Sequence, residues 1–140
     1  MVLDVGCAMG FFSLPLARMV GPTGKVICVD AQKRMVEILE KRAQKTGVFN
    51  IIETHACPPS TLALEKLAGR IDFALAFAVV HEVPDPAVLF AEIQKLLKAD
   101  GTFLIAEPKG HVQKNTFVKT LAAAESCGFR ITTCPHISRS

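Results

Sequence analysis

Apolar and polar positions along this chain fall into a recurring order: a short apolar run, a turn bearing Gly or Pro, then apolar residues at helical spacing. The run over about 1–5 predicts a strand. A helix follows from about 10 to 20, with Phe11, Phe12, Leu14 and Leu16 packing and Pro15 tolerable only near its start. Gly21-Pro22-Thr23-Gly24 reads as a turn and about 25–30 as a second strand. An amphipathic helix over about 32–46 carries Met35, Ile38, Leu39 and Arg42 at helical spacing and stops at Gly47. Asn50–His55 predicts a third strand, broken by Cys57-Pro58-Pro59, and Ser60 caps a short helix to about 68. The continuous apolar stretch over 71–80, with Asp72 as its one acid, predicts a central strand buried on both faces.

Asp85-Pro86 predicts an N-cap followed by Pro at the first helical position, with the helix running to about 98 and Val88, Leu89, Ile93, Leu96 and Leu97 inward. Asp100-Gly101 is a turn, Thr102–Glu107 a fifth strand and 108–113 a loop. A helix over about 114–127 stops at Gly128, and Phe129–Cys134 predicts a sixth strand. Strands alternate with helices throughout. The expectation is an α/β fold: a Rossmann-like, doubly wound, mostly parallel sheet with helices on both faces, in one domain over 1–140.

Within that order, residues 2–10 carry the most chemistry. An apolar run ends at Asp4, a Gly turn follows, and a second apolar run, Val26-Ile27-Cys28-Val29, ends in Asp30. Strand, Gly turn, helix and a second strand tipped with a carboxylate form the nucleoside-binding half of such a sheet, the acid being placed to accept hydrogen bonds from a ribose diol. The alternative for Asp30 is a helix N-cap. A dinucleotide fingerprint counted from Gly6 would need Gly or Ala at position 11, where Phe11 blocks the close helix–strand contact. A nicotinamide-dependent oxidoreductase is therefore disfavoured.

Gly6-Cys7-Ala8-Met9-Gly10 resembles the first motif of class I S-adenosylmethionine-dependent methyltransferases, with Ala8 in place of the middle glycine. The resemblance extends through His81-Glu82-Val83-Pro84-Asp85 and Leu96–Pro108, which are similar to the fourth and fifth strand regions of small-molecule methyltransferases; Ala99-Asp100 departs from the family's usual turn while Gly101 keeps it. It implies the sheet order three-two-one-four-five-seven-six and S-adenosyl-L-methionine as cofactor. Asp4, Gly6, Cys7, Ala8 and Gly10 would border the methionine end, and a bulky residue at Gly6 would fill the space that end needs. Asp30 would hold the ribose hydroxyls, with Ala31 and Gln32 near the adenine edge. Ala56 and Cys57 would flank the adenine, although the acid usual at that place is missing from His55-Ala56-Cys57. Phe77 and Ala78, with Val79, would lie beneath the sulfonium.

His81 is the candidate base, since its unperturbed pKa range suits proton removal from an acceptor; the alternative is a loop histidine that bonds backbone. Glu82, Glu107, Lys109 and His111 could line an acceptor pocket, or be solvated charges. No metal is expected, because no ligands have metal spacing and Asp85 stands where a zinc helix after His81-Glu82 would need a second His. The Asn-Pro-Pro-aromatic motif of amine-methylating enzymes on adenine and glutamine is absent, and Cys57-Pro58 is not the Pro-Cys nucleophile of cytosine methylation.

Composition narrows the partners. Half the residues are apolar, net charge is only +3 with both signs interspersed, and Trp and Tyr are absent, so neither nucleic acid nor a membrane is expected. Five cysteines without Cys-x-x-Cys spacing and no basic-then-apolar leader imply reduced thiols in the cytoplasm. Relative to the family, a helical segment before the first strand and the final antiparallel seventh strand are missing, so the chain reads as truncated at both ends or as a minimal member. After Ile137-Ser138-Arg139-Ser140 the sheet edge would stand open, to be covered by a second copy, a partner or a swapped segment. The function expected is methyl transfer to a small-molecule acceptor; the alternative is a non-catalytic module of the same shape that binds the cofactor or a partner.

Overall fold

Alternation along the two central strands decides how the layers stack. In β1 (Val2–Val5) and β2 (Val26–Asp30), Leu3, Val5, Ile27 and Val29 enter one apolar core, while Val2, Val26 and Cys28 enter another. The first core is closed by Leu89, Phe90 and Ile93 of α3 (Pro86–Leu96) and Ala124 of α4 (Lys114–Ser126). The second is closed by Leu14 and Ala17 of α1 (Ser13–Val20) and Leu39 and Ala43 of α2 (Lys33–Lys45). Successive strand residues point to opposite faces, so a sheet apolar at nearly every position must be sandwiched between helices. The computed structural model describes residues 1–135.

With β3 (Ile52–Ala56), β4 (Ile71–Phe77) and β5 (Leu97–Ala106), the sheet among the described residues has the order β3-β2-β1-β4-β5, and every pairing is parallel. The register sets Val5 beside Val29 on one side and Ala76 on the other. The chain winds outward from β1 through β2 to β3, then returns to β4 on β1's free side. The connections leaving β1 and β4 therefore diverge, and a crevice opens at the carboxyl ends of these strands.

Several boundaries differ from the sequence reading. β4 ends at Phe77, because Ala78 takes a left-handed conformation (φ 56°), its N–H bonding to the Ala106 carbonyl, and Val80–Glu82 coil into a 3₁₀ turn. The short helix expected from Ser60 shrinks to a 3₁₀ turn at Glu65–Leu67. Asp85 does cap α3, its carboxylate accepting the Ala87 N–H at 2.9 Å. That helix stops at Leu96, and β5 starts at once, with an irregular register before Thr102 pairs with Phe73.

The sixth strand expected at Phe129–Cys134 does not form among the described residues. Phe129 packs against Phe103, with ring centroids 5.3 Å apart. Beyond it Ile131 and Cys134 are exposed, so no second layer rewards the alternation that suggested a strand. The stretch Ile137-Ser138-Arg139-Ser140 lies outside the described residues. No helix among those described is long and apolar enough to cross a membrane.

Candidate functional site

The loop after β1 is built from residues that accept left-handed backbone. Gly6 (φ 70°), Ala8 (φ 44°) and Gly10 (φ 87°) alternate along it. The Gly6 and Cys7 N–H groups both donate to the Val29 carbonyl, at 2.9 and 3.0 Å, so the loop is stitched to the tip of β2. The Arg42 guanidinium of α2 holds the Met9 carbonyl at 2.5 Å from outside. A side chain at Gly6 would first strike Val79, whose Cγ2 lies 2.5 Å from the place a Cβ would take; at Gly10 it would strike Leu39 of α2. Both glycines thus let neighbouring protein approach the loop. The first obstacle to a side chain at Gly6 is thus Val79.

Asp30 ends β2, and each of its oxygens takes one backbone N–H: Ala8 at 2.9 Å and Gln32 at 2.8 Å. An ionised carboxylate has roughly four acceptor positions, so each oxygen keeps capacity for another donor. It is a partly exposed acid with a fixed orientation. Asp4, in β1, is 2% exposed and accepts the Ser13 hydroxyl at 2.6 Å. Burial pushes its pKa up to about 6; the Ser13 hydrogen bond opposes the shift and the nearby Asp30 charge adds to it. The Cys7 thiol is raised by its hydrogen bond with Cys28 and by burial, which makes it an inert packing group rather than a nucleophile. Burial also raises the Cys57 thiol.

These groups line a cleft of about 690 Å³ at the carboxyl ends of β1 and β4. Of the residues singled out from the sequence, Asp4, Gly6, Cys7, Ala8, Asp30, Ala31, Gln32, Cys57, Phe77 and Ala78 line it. Gly10, Ala56 and His81 do not: Gly10 is buried beneath the loop, and Ala56 pairs with Asp30 at the strand ends. His81, off the lining, has its ring Nδ1 at 2.6 Å from Glu107 Oε2 and its backbone N–H at 3.1 Å from Oε1. An ionised carboxylate only accepts, so with Glu107 ionised Nδ1 donates this bond and the other ring nitrogen is Nε2. That atom lies 3.9 Å from Glu82 Oε1, and Glu82 does line the cleft.

Two sets of lining residues escaped the sequence reading. Phe11 and Phe12 are not core: Phe11 is 77% exposed, and both line the cleft. Two consecutive aromatics at the start of a helix cannot both face inward, and that is the signal the sequence did contain. Glu92, on α3, accepts the Thr61 hydroxyl at 2.6 Å and the Leu62 N–H at 2.7 Å, tying the loop after β3 to the opposite helix. It adds an acid to the wall that Cys57 also lines, where the sequence offers none beside Ala56. No local pattern marks it, because the contact spans 30 residues.

The crevice at the strand reversal, the glycine loop and the carboxylate at the tip of β2 lie together where doubly wound sheets place their ligands. The chain belongs to the methyltransferase domain family, whose model matches residues 1–135. It is similar to an uncharacterized 37.1 kDa protein of transposon Tn4556 from Streptomyces fradiae, with 35% identity over 76% of this chain and 29% of that protein. It is also similar to the ubiquinone biosynthesis O-methyltransferase of Acinetobacter baylyi, with 32% identity over 71% of this chain and 40% of that protein. The crystal structure of a SAM-dependent methyltransferase from Aquifex aeolicus superposes with a TM-score of 0.83 at 24% identity, over 94% of this chain and 73% of that one. The chain spans less than half the length of the curated relatives it matches. The fold is that of class I methyltransferases.

Proposed function

We propose that this chain binds S-adenosylmethionine in the cleft and transfers its methyl group to a small-molecule acceptor. The observation that carries the reading is Asp30: an acid at the cleft, oriented by the Ala8 and Gln32 N–H groups and still able to accept from a vicinal diol. The chemistry of the lining also fits the cofactor, since the carboxylates of Asp4 and Asp30 suit a ligand bearing ammonium and sulfonium charges. When bound, the cofactor supplies an electrophilic methyl group on a positively charged sulfur.

The protein's own part is placement. Phe77 ends β4 at the cleft, and after the left-handed turn at Ala78 the chain continues along it through Val79 and Glu82 to Asp85. Holding a nucleophile against a methyl carbon supplies most of the rate gain in such a transfer. His81, bonded to Glu107, lies off the lining but 3.9 Å from Glu82, which lines it, and we assign His81 to take the acceptor's proton by way of Glu82 when one must leave. The relative from Acinetobacter baylyi is named an O-methyltransferase, and a hydroxyl acceptor is the kind that needs such a base. The cysteines of the described residues are free thiols, which suits a cytoplasmic setting.

Calorimetric titration with S-adenosylhomocysteine tests the binding, and release of labelled methyl into cell extract tests the transfer. Binding without transfer would favour the second reading, a module that holds the cofactor without turnover. That His81 does not itself line the cleft favours that reading. No binding would remove both.

A further inference from the structure

The charged side chains of the cleft are all of one sign. Asp4, Asp30, Glu82, Asp85 and Glu92 line it, and no Lys, Arg or His does so among the described residues. The chain as a whole is net positive, at +3, so this segregation runs against its overall balance. The acids are partnered by dipoles rather than by cations: backbone N–H groups meet Asp30, Asp85 and Glu92, and hydroxyls meet Asp4 and Glu92. Such bonds orient a carboxylate without cancelling its charge. The Glu82 side chain is 68% exposed, and its carboxylate lies 3.9 Å from the His81 ring, which is off the lining.

The same cleft is lined by a row of three rings. Phe77, at the end of β4, meets Phe12 at 4.6 Å between centroids, and Phe12 meets Phe11 at 4.9 Å in an edge-on arrangement. The row leads from the strand tip to Phe11, whose ring stands in solvent. Aromatic faces offer stacking area and a negative electrostatic surface, which attracts other rings and cations and gives an anion nothing.

We infer that the acceptor of the proposed methyl transfer is an aromatic molecule without negative charge, its ring against Phe11 and Phe12, with a cationic amine substituent favoured and a carboxylate or phosphate excluded. The inference rests on the cleft being the methyl-transfer site. Its basis is exclusion as much as attraction: beyond the acids assigned to the cofactor, an anionic acceptor would meet Glu82 and Asp85, with no cationic side chain in the lining to receive it.

Three probes that share a phenol ring separate the possibilities: tyramine, 4-ethylphenol and 4-hydroxyphenylacetate. Their affinities are read by ligand-observed NMR on the whole chain, with and without S-adenosylhomocysteine, whose neutral sulfur adds no charge of its own. Tyramine should bind roughly fivefold or more tighter than the carboxylate, with 4-ethylphenol between them and the spread narrowing as salt is raised. Phe11→Ala should weaken all three alike. Glu82→Gln should narrow the tyramine-to-carboxylate ratio and leave 4-ethylphenol where it was. A carboxylate probe that binds as tightly as tyramine, or no binding by any of the three, would overturn the inference. If S-adenosylhomocysteine fails to bind while the ranking stands, the methyl-transfer reading falls and the selectivity of the cleft remains.

Discussion

The Ala8 N–H and the Asp30 Oδ2 meet at 2.9 Å, joining the loop after β1 to the tip of β2 across 22 residues of sequence. One carboxylate therefore serves both the loop and any ligand that reaches it. Asp30→Ala should cost cofactor affinity about 1–3 kcal/mol, the range for a charged hydrogen-bond partner. It should also loosen the loop, because the Ala8 N–H loses its acceptor. Calorimetry with S-adenosylhomocysteine reads the first effect and amide hydrogen exchange at Ala8 the second. Unchanged affinity would remove Asp30 from the ligand's reach.

Asp4 links the cleft to pH. Its pKa is raised from 3.8 to about 6, so the folded protein holds that proton more tightly than the unfolded chain does. The associated stability is fully present below pH 4 and is lost as pH rises through 6, a contribution on the order of 3 kcal/mol at most. Asp4→Asn keeps a neutral acceptor for the Ser13 hydroxyl and should melt higher than the parent at pH 7.5, with the two converging toward pH 4.5. Melting curves across that range without ligand check the sign. The same variant should bind cofactor more weakly, since a carboxylate is lost from the lining.

Gly6 combines a positive φ with the close approach of Val79. Gly6→Ala should destabilise the fold by about 1–3 kcal/mol, from overpacking and backbone strain together. Adding Val79→Ala should relieve only the steric share. A double-mutant cycle on denaturation midpoints separates the two, and complete rescue would show that the left-handed conformation costs nothing here.

His81 and Glu107 form the other pair of consequence. If the pair handles the acceptor's proton, His81→Gln should lower kcat toward hydroxyl acceptors by about 10²-fold or more, with S-adenosylhomocysteine affinity unchanged. Glu107→Gln should shift the pH profile of kcat without abolishing turnover. A drop in Tm with kcat intact for both variants would make the pair a structural tie between β4 and β5.

The periodicity of the chain determined most of this architecture by itself. Consecutive apolar residues in Val2–Val5, Val26–Val29 and Ile71–Phe77 require strands covered on both faces, and the alternating helices then require parallel crossovers. The glycine loop and Asp30 were legible for the same reason: their roles depend on backbone freedom and on position at a strand end, both of which are local. The failures were not local. Phe129–Cys134 has a strand's pattern but no layer to cover it. Phe11 and Phe12 look like core until the crevice beside them is seen. Glu92 joins the site only through contacts made 30 residues away, and His81, bonded to Glu107 just past the end of β5, does not line it. Sequence periodicity decided which residues are buried and where the chain turns. Only the packed structure decided which side chains share the cleft and the sign of its charge, because those depend on which distant segments the sheet order brings together.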